Sequence, residues 1–161
     1  MRVLITGGAG FVGARLARTL LARERLAGRR IEQVVLADQF PPPADLSADA
    51  RIASRVEPLL TLATALRDEP FDGIFHLASA VSGECELDFD LGMRSNLDST
   101  RALLDALRHQ VQRGLPATRL VFSSSIAVFG PDLGETMPAL VGDRTLPTPQ
   151  TGGAPVSASA R

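Results

Sequence analysis

Gly7, Gly10 and Gly13 recur at every third position in the run Thr6-Gly7-Gly8-Ala9-Gly10-Phe11-Val12-Gly13. Glycines at that spacing suit a backbone that must meet a pyrophosphate. Gly7 permits the tight turn, Gly10 lets the main chain approach without a Cβ in the way, and Gly13 lets the next helix pack closely on the sheet. The chemistry is anion capture: a helix opening at Phe11 and Val12 offers unpaired N–H groups and the positive end of its dipole. Two elements must position that loop. Val3, Leu4 and Ile5 read as a buried strand before it, and Leu16, Leu20 and Leu21 mark one side of an amphipathic helix after it. A tight turn that binds nothing would use the same glycines. The order strand, loop, helix favours a dinucleotide site.

A second apolar run, Val34, Val35, Leu36 and Ala37, ends at Asp38. A carboxylate at the end of the second strand accepts hydrogen bonds from the adenosine ribose hydroxyls, ordinarily about 20 residues past the glycine loop. Here residues 23–30 lengthen the crossover. The same carboxylate repels a 2′-phosphate, and Gln39 and Phe40 behind it supply no arginine, so the expected cofactor is NAD rather than NADP. Asp is also common where strands simply stop.

Composition bounds the rest. The 161 residues suit a single core, and a formal net charge of −1 provides no basic surface for nucleic acid or an anionic membrane. No apolar stretch approaches the ~20 residues of a membrane span, and the chain opens on a strand rather than a signal sequence. Cys85 is the single cysteine. No intrachain disulfide can form, and a cytoplasmic location is expected. Glu84 and Glu86 flank that thiol and disfavour a thiolate. The chain has no tyrosine, and all 17 of its Lys and Arg residues are arginine.

Further strands are expected near residues 51–56, at 73–77 and at 120–122, with a helical crossover over 58–66 and a long helix over 88–114. On that helix Met93, Leu97, Leu104, Leu107 and Val111 form an apolar stripe. Arg94, Asp98, Arg101, Asp105 and Arg108 alternate in sign on a solvated face, close enough for i,i+3 and i,i+4 pairing. Gly114 and Pro116 end it. Alternation of strand and helix predicts an α/β fold, a doubly wound parallel sheet of the Rossmann type with about five strands. Residues 1–130 form the expected nucleotide-binding domain. Residues 131–161, rich in Gly, Pro, Thr, Ser and Ala without apolar period, are expected as loop or disordered tail.

Several stretches together carry a family resemblance. The glycine run, His76-Leu77-Ala78-Ser79, Asn96-Leu97-Asp98-Ser99-Thr100 and Val121-Phe122-Ser123-Ser124-Ser125-Ile126-Ala127-Val128-Phe129-Gly130 resemble an extended short-chain dehydrogenase/reductase of the NAD-dependent epimerase/dehydratase family. Residues 80–84 and 88–92, with Thr148-Pro149-Gln150-Thr151, are most similar to its D-erythronate dehydrogenase branch. The resemblance covers about residues 1–151. It implies hydride transfer between NAD and a hydroxyl carbon of a small sugar acid. Ser125 would hydrogen-bond the reacting oxygen, and Asn96 would brace the site. Leu77 and Ala78 would line the cofactor cleft at the carboxyl end of the fourth strand, where open α/β sheets place ligands. Read without the family, the three serines suit strand-end capping and Asn96 a solvated helix. His76 reads as a satisfied strand histidine and His109 as a surface one. Ser82 and Glu84, on the loop after the fourth strand, are further candidates for substrate contact.

The resemblance ends where the family's acid/base pair is due. The family continues Pro-Gln-Thr with Ser-Tyr-Gly and a lysine four residues beyond the tyrosine. Here Gly153 stands at the tyrosine position and Ser157 at the lysine position, and Pro155 disfavours the helix that carries both. The expectation is a chain without its C-terminal substrate lobe, through a shifted frame or a truncated gene. Such a chain would be catalytically inactive and prone to self-association through an exposed fifth-strand edge.

Overall fold

The structure, a computed structural model, describes residues 1–125 and 142–143. Apart from Gly142 and Asp143, the expected tail lies outside the described residues, as does the expected domain boundary after residue 130. The chain divides into two compact units, one of residues 1–79 and 98–123 and the other of residues 80–97 and 124–161.

The first unit is built on a parallel sheet of β1 (Arg2–Thr6), β4 (Gln33–Asp38), β5 (Ile52–Val56), β6 (Gly73–His76) and β7 (Arg119–Phe122), in the order β5-β4-β1-β6-β7. By position along the chain these run third, second, first, fourth, fifth, the doubly wound order that begins at a central strand. β1 is paired on both sides, Ile5 opposite Leu36 in β4 and opposite Phe75 in β6. The expected fold class holds.

Alternation along the strands divides the core between two faces. Val3, Ile5, Val34 and Leu36 pack under α1 (Phe11–Arg23), against Ala14, Ala17, Leu20 and Leu21, together with Leu46 of α2 (Ala44–Ser47). Leu4, Val35, Ala37 and Ile74 pack on the opposite face, against Leu62 and Leu66 of α3 (Leu59–Leu66) and Leu103 and Ala106 of α6 (Ser99–Gln112). These side chains are almost wholly removed from water. At about 25 cal/mol per Å² of apolar surface, such burial on both faces is what drives the sheet to form.

Two local features escape the sequence pattern. The lengthened first crossover is a small hairpin of β2 (Arg25–Leu26) and β3 (Arg29–Arg30), turned by Ala27 and Gly28 at φ 50° and 79°. Positive φ at both central residues suits a two-residue hairpin turn. The long helix expected over 88–114 runs without a break from Phe89 to Gln112 but is not uniformly α-helical. In the second unit α4 (Ser82–Leu87) gives way at Asp88, whose carboxylate accepts the Leu91 N–H (2.9 Å) and caps α5 (Phe89–Gly92). A π-helical segment, Met93–Asp98, then precedes α6.

That segment corrects the expected stripe. α6 buries Ser99, Leu103, Ala106 and Gln110, whereas Leu104 and Val111 are about half exposed. The buried set is one residue out of phase with Leu104, Leu107 and Val111. Bonds from i to i+5 take more residues per turn than an α-helix, so a 3.6-residue period carried through the segment loses register. α6 ends as expected: Gly114, at φ 81°, donates to Val111 and Leu115 donates to Gln110 (3.0 and 3.1 Å), a Schellman arrangement.

Candidate functional site

At the carboxyl end of β1 the chain turns into α1 under tight steric control. A Cβ on Gly13 would stand 2.1 Å from the Gly7 carbonyl oxygen, and one on Gly7, at φ 71°, would stand 2.9 Å from the Ala78 nitrogen. Gly13 therefore lets the helix pack on its own entry turn, where the sequence suggested packing on the sheet. Gly8, which the sequence reading passed over, is equally confined, since its Cβ would lie 2.8 Å from that of Leu36. Gly10 differs. Its Cβ would approach only the Gly7 carbonyl oxygen, at 3.3 Å, and otherwise faces open space.

The turn is held by its own backbone. The Gly8 N–H donates to the Ala37 carbonyl at the end of β4 (3.2 Å) and the Gly10 N–H to Gly7 (3.2 Å). No side chain caps α1 at Gly10. The first intrahelical bond runs from Ala14 back to Gly10, so the N–H groups of the opening turn lie ahead of the helix's own ladder. Phe11 and Val12 stand 86% and 61% exposed beside them. An unscreened N-terminus, with bare backbone at Gly10, is a fit for a pyrophosphate.

Asp38, at the end of β4, is joined to the turn directly. One carboxylate oxygen accepts the Ala9 N–H (3.0 Å), and the other accepts the Gln39 and Phe40 N–H groups (2.7 and 3.3 Å). The residue is half-buried. Each carboxylate oxygen carries two acceptor sites, so capacity for hydroxyl donors remains. These backbone bonds give Asp38 the strand-stop role that the sequence also offered.

The opposite wall is the end of β6, where Leu77 and Ala78 pass against Gly7. Beneath them His76 is 1% exposed. Its Nδ1 lies 2.7 Å from Thr6 Oγ1, its Nε2 3.0 Å from Thr100 Oγ1, and its ring stands 5.6 Å from that of Phe122. Burial pushes its imidazole down to about 4, which keeps it neutral at pH 7. His76 is a satisfied core histidine, as the sequence suggested. Thr6 and Thr100 are additions that no sequence signal marked, because β1 and α6 lie far apart in the chain.

The second unit holds the remaining candidates. Asn96, in the π-helical segment, accepts the Ala80 N–H (2.8 Å) and donates to the Ala80 carbonyl (3.0 Å), which holds the two peptide groups flanking Ala80 with one side chain. The Cys85 thiol is half-buried and lies 3.7 Å from the same carbonyl. Glu84 accepts the Val81 N–H at the start of α4 (3.3 Å), which engages it as a helix cap. Ser125 is exposed three residues past β7. Gly7, Gly10, Phe11, Val12, Gly13, Asp38, Leu77 and Ala78 thus share the first unit, while Asn96 and Ser125 belong to the second. Among the described residues no cluster of His, Cys, Asp or Glu is arranged to hold a metal ion, and no helix is long and apolar enough to cross a membrane.

The model of the NAD dependent epimerase/dehydratase family matches residues 3–154. The chain belongs to that family. Among curated proteins the chain is similar to the D-erythronate dehydrogenase of Cupriavidus necator, 42% identical over 156 residues, covering 94% of this chain and 45% of the relative. Among solved structures, the nucleoside-diphosphate-sugar epimerase of Agrobacterium tumefaciens superposes with a TM-score of 0.79 at 39% identity, over 99% of this chain and 46% of that one. The UDP-glucuronic acid 4-epimerase of Bacillus cereus, solved with NAD, gives 0.72 at 26% identity, over 99% of this chain and 49% of that one. The chain spans slightly less than half the length of each of these three relatives.

Proposed function

We propose that these residues form the NAD-binding half of a sugar-acid dehydrogenase of the D-erythronate type. The observation that carries the reading is the turn from β1 into α1, crowded at Gly7, Gly8 and Gly13, open at Gly10, and tied through Ala9 to the Asp38 carboxylate. The N–H groups behind Gly10, at Phe11, Val12 and Gly13, take the pyrophosphate. Asp38 takes the adenosine ribose hydroxyls and repels a 2′-phosphate. Leu77 and Ala78 line the cleft on the β6 side. NAD, when bound, supplies the hydride acceptor for a substrate hydroxyl carbon. Ser125 is assigned the hydrogen bond to the reacting oxygen, and Asn96 the bracing of the loop at Ala80.

Calorimetric titration of the 161-residue chain should show NAD binding more tightly than NADP, with circular dichroism reporting the fold of the same sample. Equal affinity for the two dinucleotides would remove the Asp38 assignment.

Turnover by these residues alone is a separate matter. The chain contains no tyrosine and no lysine, so the family's general acid/base pair has no counterpart, and such help is worth roughly 10²–10⁴-fold. No measurable oxidation of D-erythronate is expected from the purified chain. Robust NADH formation that disappears in Ser125→Ala would show that another group supplies the base. A further part of the proposal concerns β7, which among the described residues pairs on one side only, with Val121 and Phe122 about half exposed. An apolar strand with a free edge is a template for association, and light scattering should report species larger than a monomer.

A further inference from the structure

We infer that His76 is a positioning residue which, as the neutral Nε2–H tautomer, ties Thr6 to Thr100 and so fixes the Leu77–Ala78 backbone against the glycine turn. Its bearing on NAD rests on the reading of that turn given above. The tautomer itself rests on hydrogen-bond arithmetic alone. A hydroxyl has one proton and two acceptor sites. Thr6 Oγ1 already receives two N–H groups, from Leu77 (3.2 Å, shared with the Thr6 carbonyl) and from Ala78 (3.3 Å). A proton on His76 Nδ1 would aim a third donor at the same oxygen across 2.7 Å and leave the Thr6 proton without its nearest acceptor. The consistent arrangement has Thr6 O–H donating to Nδ1, and Nε2–H donating to Thr100 Oγ1 at 3.0 Å.

The consequence lies one residue further on. The Ala78 nitrogen held by Thr6 Oγ1 is the atom a Gly7 Cβ would meet at 2.9 Å, with the Leu77 carbonyl carbon at 3.0 Å. The space between the two stretches of backbone there does not admit even a methyl group, and the atoms a Cβ would meet are main-chain atoms. A change in where Thr6 Oγ1 sits is therefore transmitted through Ala78 to Gly7, the first residue of the pyrophosphate turn. The His76 ring, enclosed by Thr6, Thr100 and Phe122, sets that oxygen's orientation.

Long-range proton–nitrogen spectra of the ¹⁵N-labelled 161-residue chain at pH 7 test the tautomer directly. There are two histidines in the chain, and His109→Gln assigns their signals. The expected result for His76 is a bare Nδ1 and a protonated Nε2. A protonated Nδ1, or an imidazolium, would overturn the inference. Amide exchange at Ala78 tests the positioning without any ligand. It should accelerate by about tenfold in Thr6→Val and in His76→Phe, the loss of about one net hydrogen bond or slightly more. It should stay near the parent rate in Thr6→Ser, and in His76→Asn, whose amide oxygen can stand near the Nδ1 position. Parent-like exchange in both Thr6→Val and His76→Phe would also overturn it.

NAD affinity measured on the same variants should follow the same order, weakening about tenfold where exchange accelerates and recovering in Thr6→Ser. If the parent chain binds no NAD, the dinucleotide reading fails, while the tautomer and the exchange rates still decide the role of His76. Should Thr6→Val not fold, the tautomer and the serine and asparagine variants suffice.

Discussion

The two ends of the central sheet are built on opposite principles. At the amino end the strands begin among charges that satisfy one another. Arg2 pairs with Glu69 (2.6 Å) and lies over the Phe71 ring (4.6 Å), Arg29 pairs with Asp72 (2.7 Å), and the terminal amine pairs with Glu32 (3.0 Å). Asp72 also accepts the Arg2 N–H, and that bond, followed by Arg29, holds its carboxyl below the usual carboxylate range. At the carboxyl end, around the glycine turn, stand the Asp38 carboxylate, a neutral histidine, two threonines and a row of helix N–H groups that no side chain at Gly10 caps. The amino end spends its polar capacity internally. The carboxyl end holds donors in reserve, and unspent donors on a rigid frame are what a ligand site consists of.

The largest effect that would test this contrast is expected at Gly13. Gly13→Ala puts a methyl 2.1 Å from the Gly7 carbonyl oxygen, within backbone that has no room to give. A loss of about 3 kcal/mol in urea unfolding is expected, at the upper end of ordinary overpacking, together with loss of NAD binding. Gly10→Val, facing open space, should abolish binding with a much smaller change in stability. Equal behaviour of the two variants would erase the distinction between the crowded and the open glycine.

Acid should act next, and through the carboxyl end. His76 ionises at about 4 in the folded chain against an ordinary 6.5. Between those values the unfolded chain binds a proton that the folded chain refuses, so stability falls as pH drops from 6.5 to 4 and levels off below. The total is about 3 kcal/mol. Urea midpoints across that range should fall in the parent, and the slope should diminish in His76→Asn. Asp49, drawn down to about 2 by Arg51, acts in a lower window, and its contribution is lost only as pH falls below its ordinary 3.8 toward 2.

Asp38→Asn removes charge while keeping an acceptor for the Ala9 N–H. NAD should bind about tenfold more weakly, the scale of a charge-assisted hydrogen bond lost, and the preference against NADP should shrink. An unchanged NAD/NADP ratio would assign the discrimination elsewhere. The smallest effect belongs to the amino end. Glu69→Gln leaves Arg2 and Arg55 without their shared carboxylate, yet these groups are partly solvated. The cost should be below about 1 kcal/mol, with NAD affinity unaltered. A large loss of affinity would mean that the two ends are coupled.

Much of this arrangement is legible in the chain itself. The apolar runs ending at Thr6, Asp38 and His76 fix three neighbouring strands, because a strand covered on both faces has to be apolar nearly throughout. The glycine spacing locates the turn, because a Cβ at Gly7, strained at φ 71°, or at Gly13 would strike main-chain atoms. The absence of tyrosine and lysine is likewise a matter of sequence alone. Helix phase was less legible. A π-helical segment leaves little trace in residue types, so the stripe through Leu104 and Val111 follows an unbroken period where the buried face runs through Leu103 and Gln110. What tertiary structure alone decided is which distant polar groups meet. Thr6 and His76 are 70 positions apart, and His76 and Thr100 are 24 apart. A hydrogen bond between them leaves no periodicity in the sequence, because it depends on the register of β1 against β6 and on where α6 crosses the sheet.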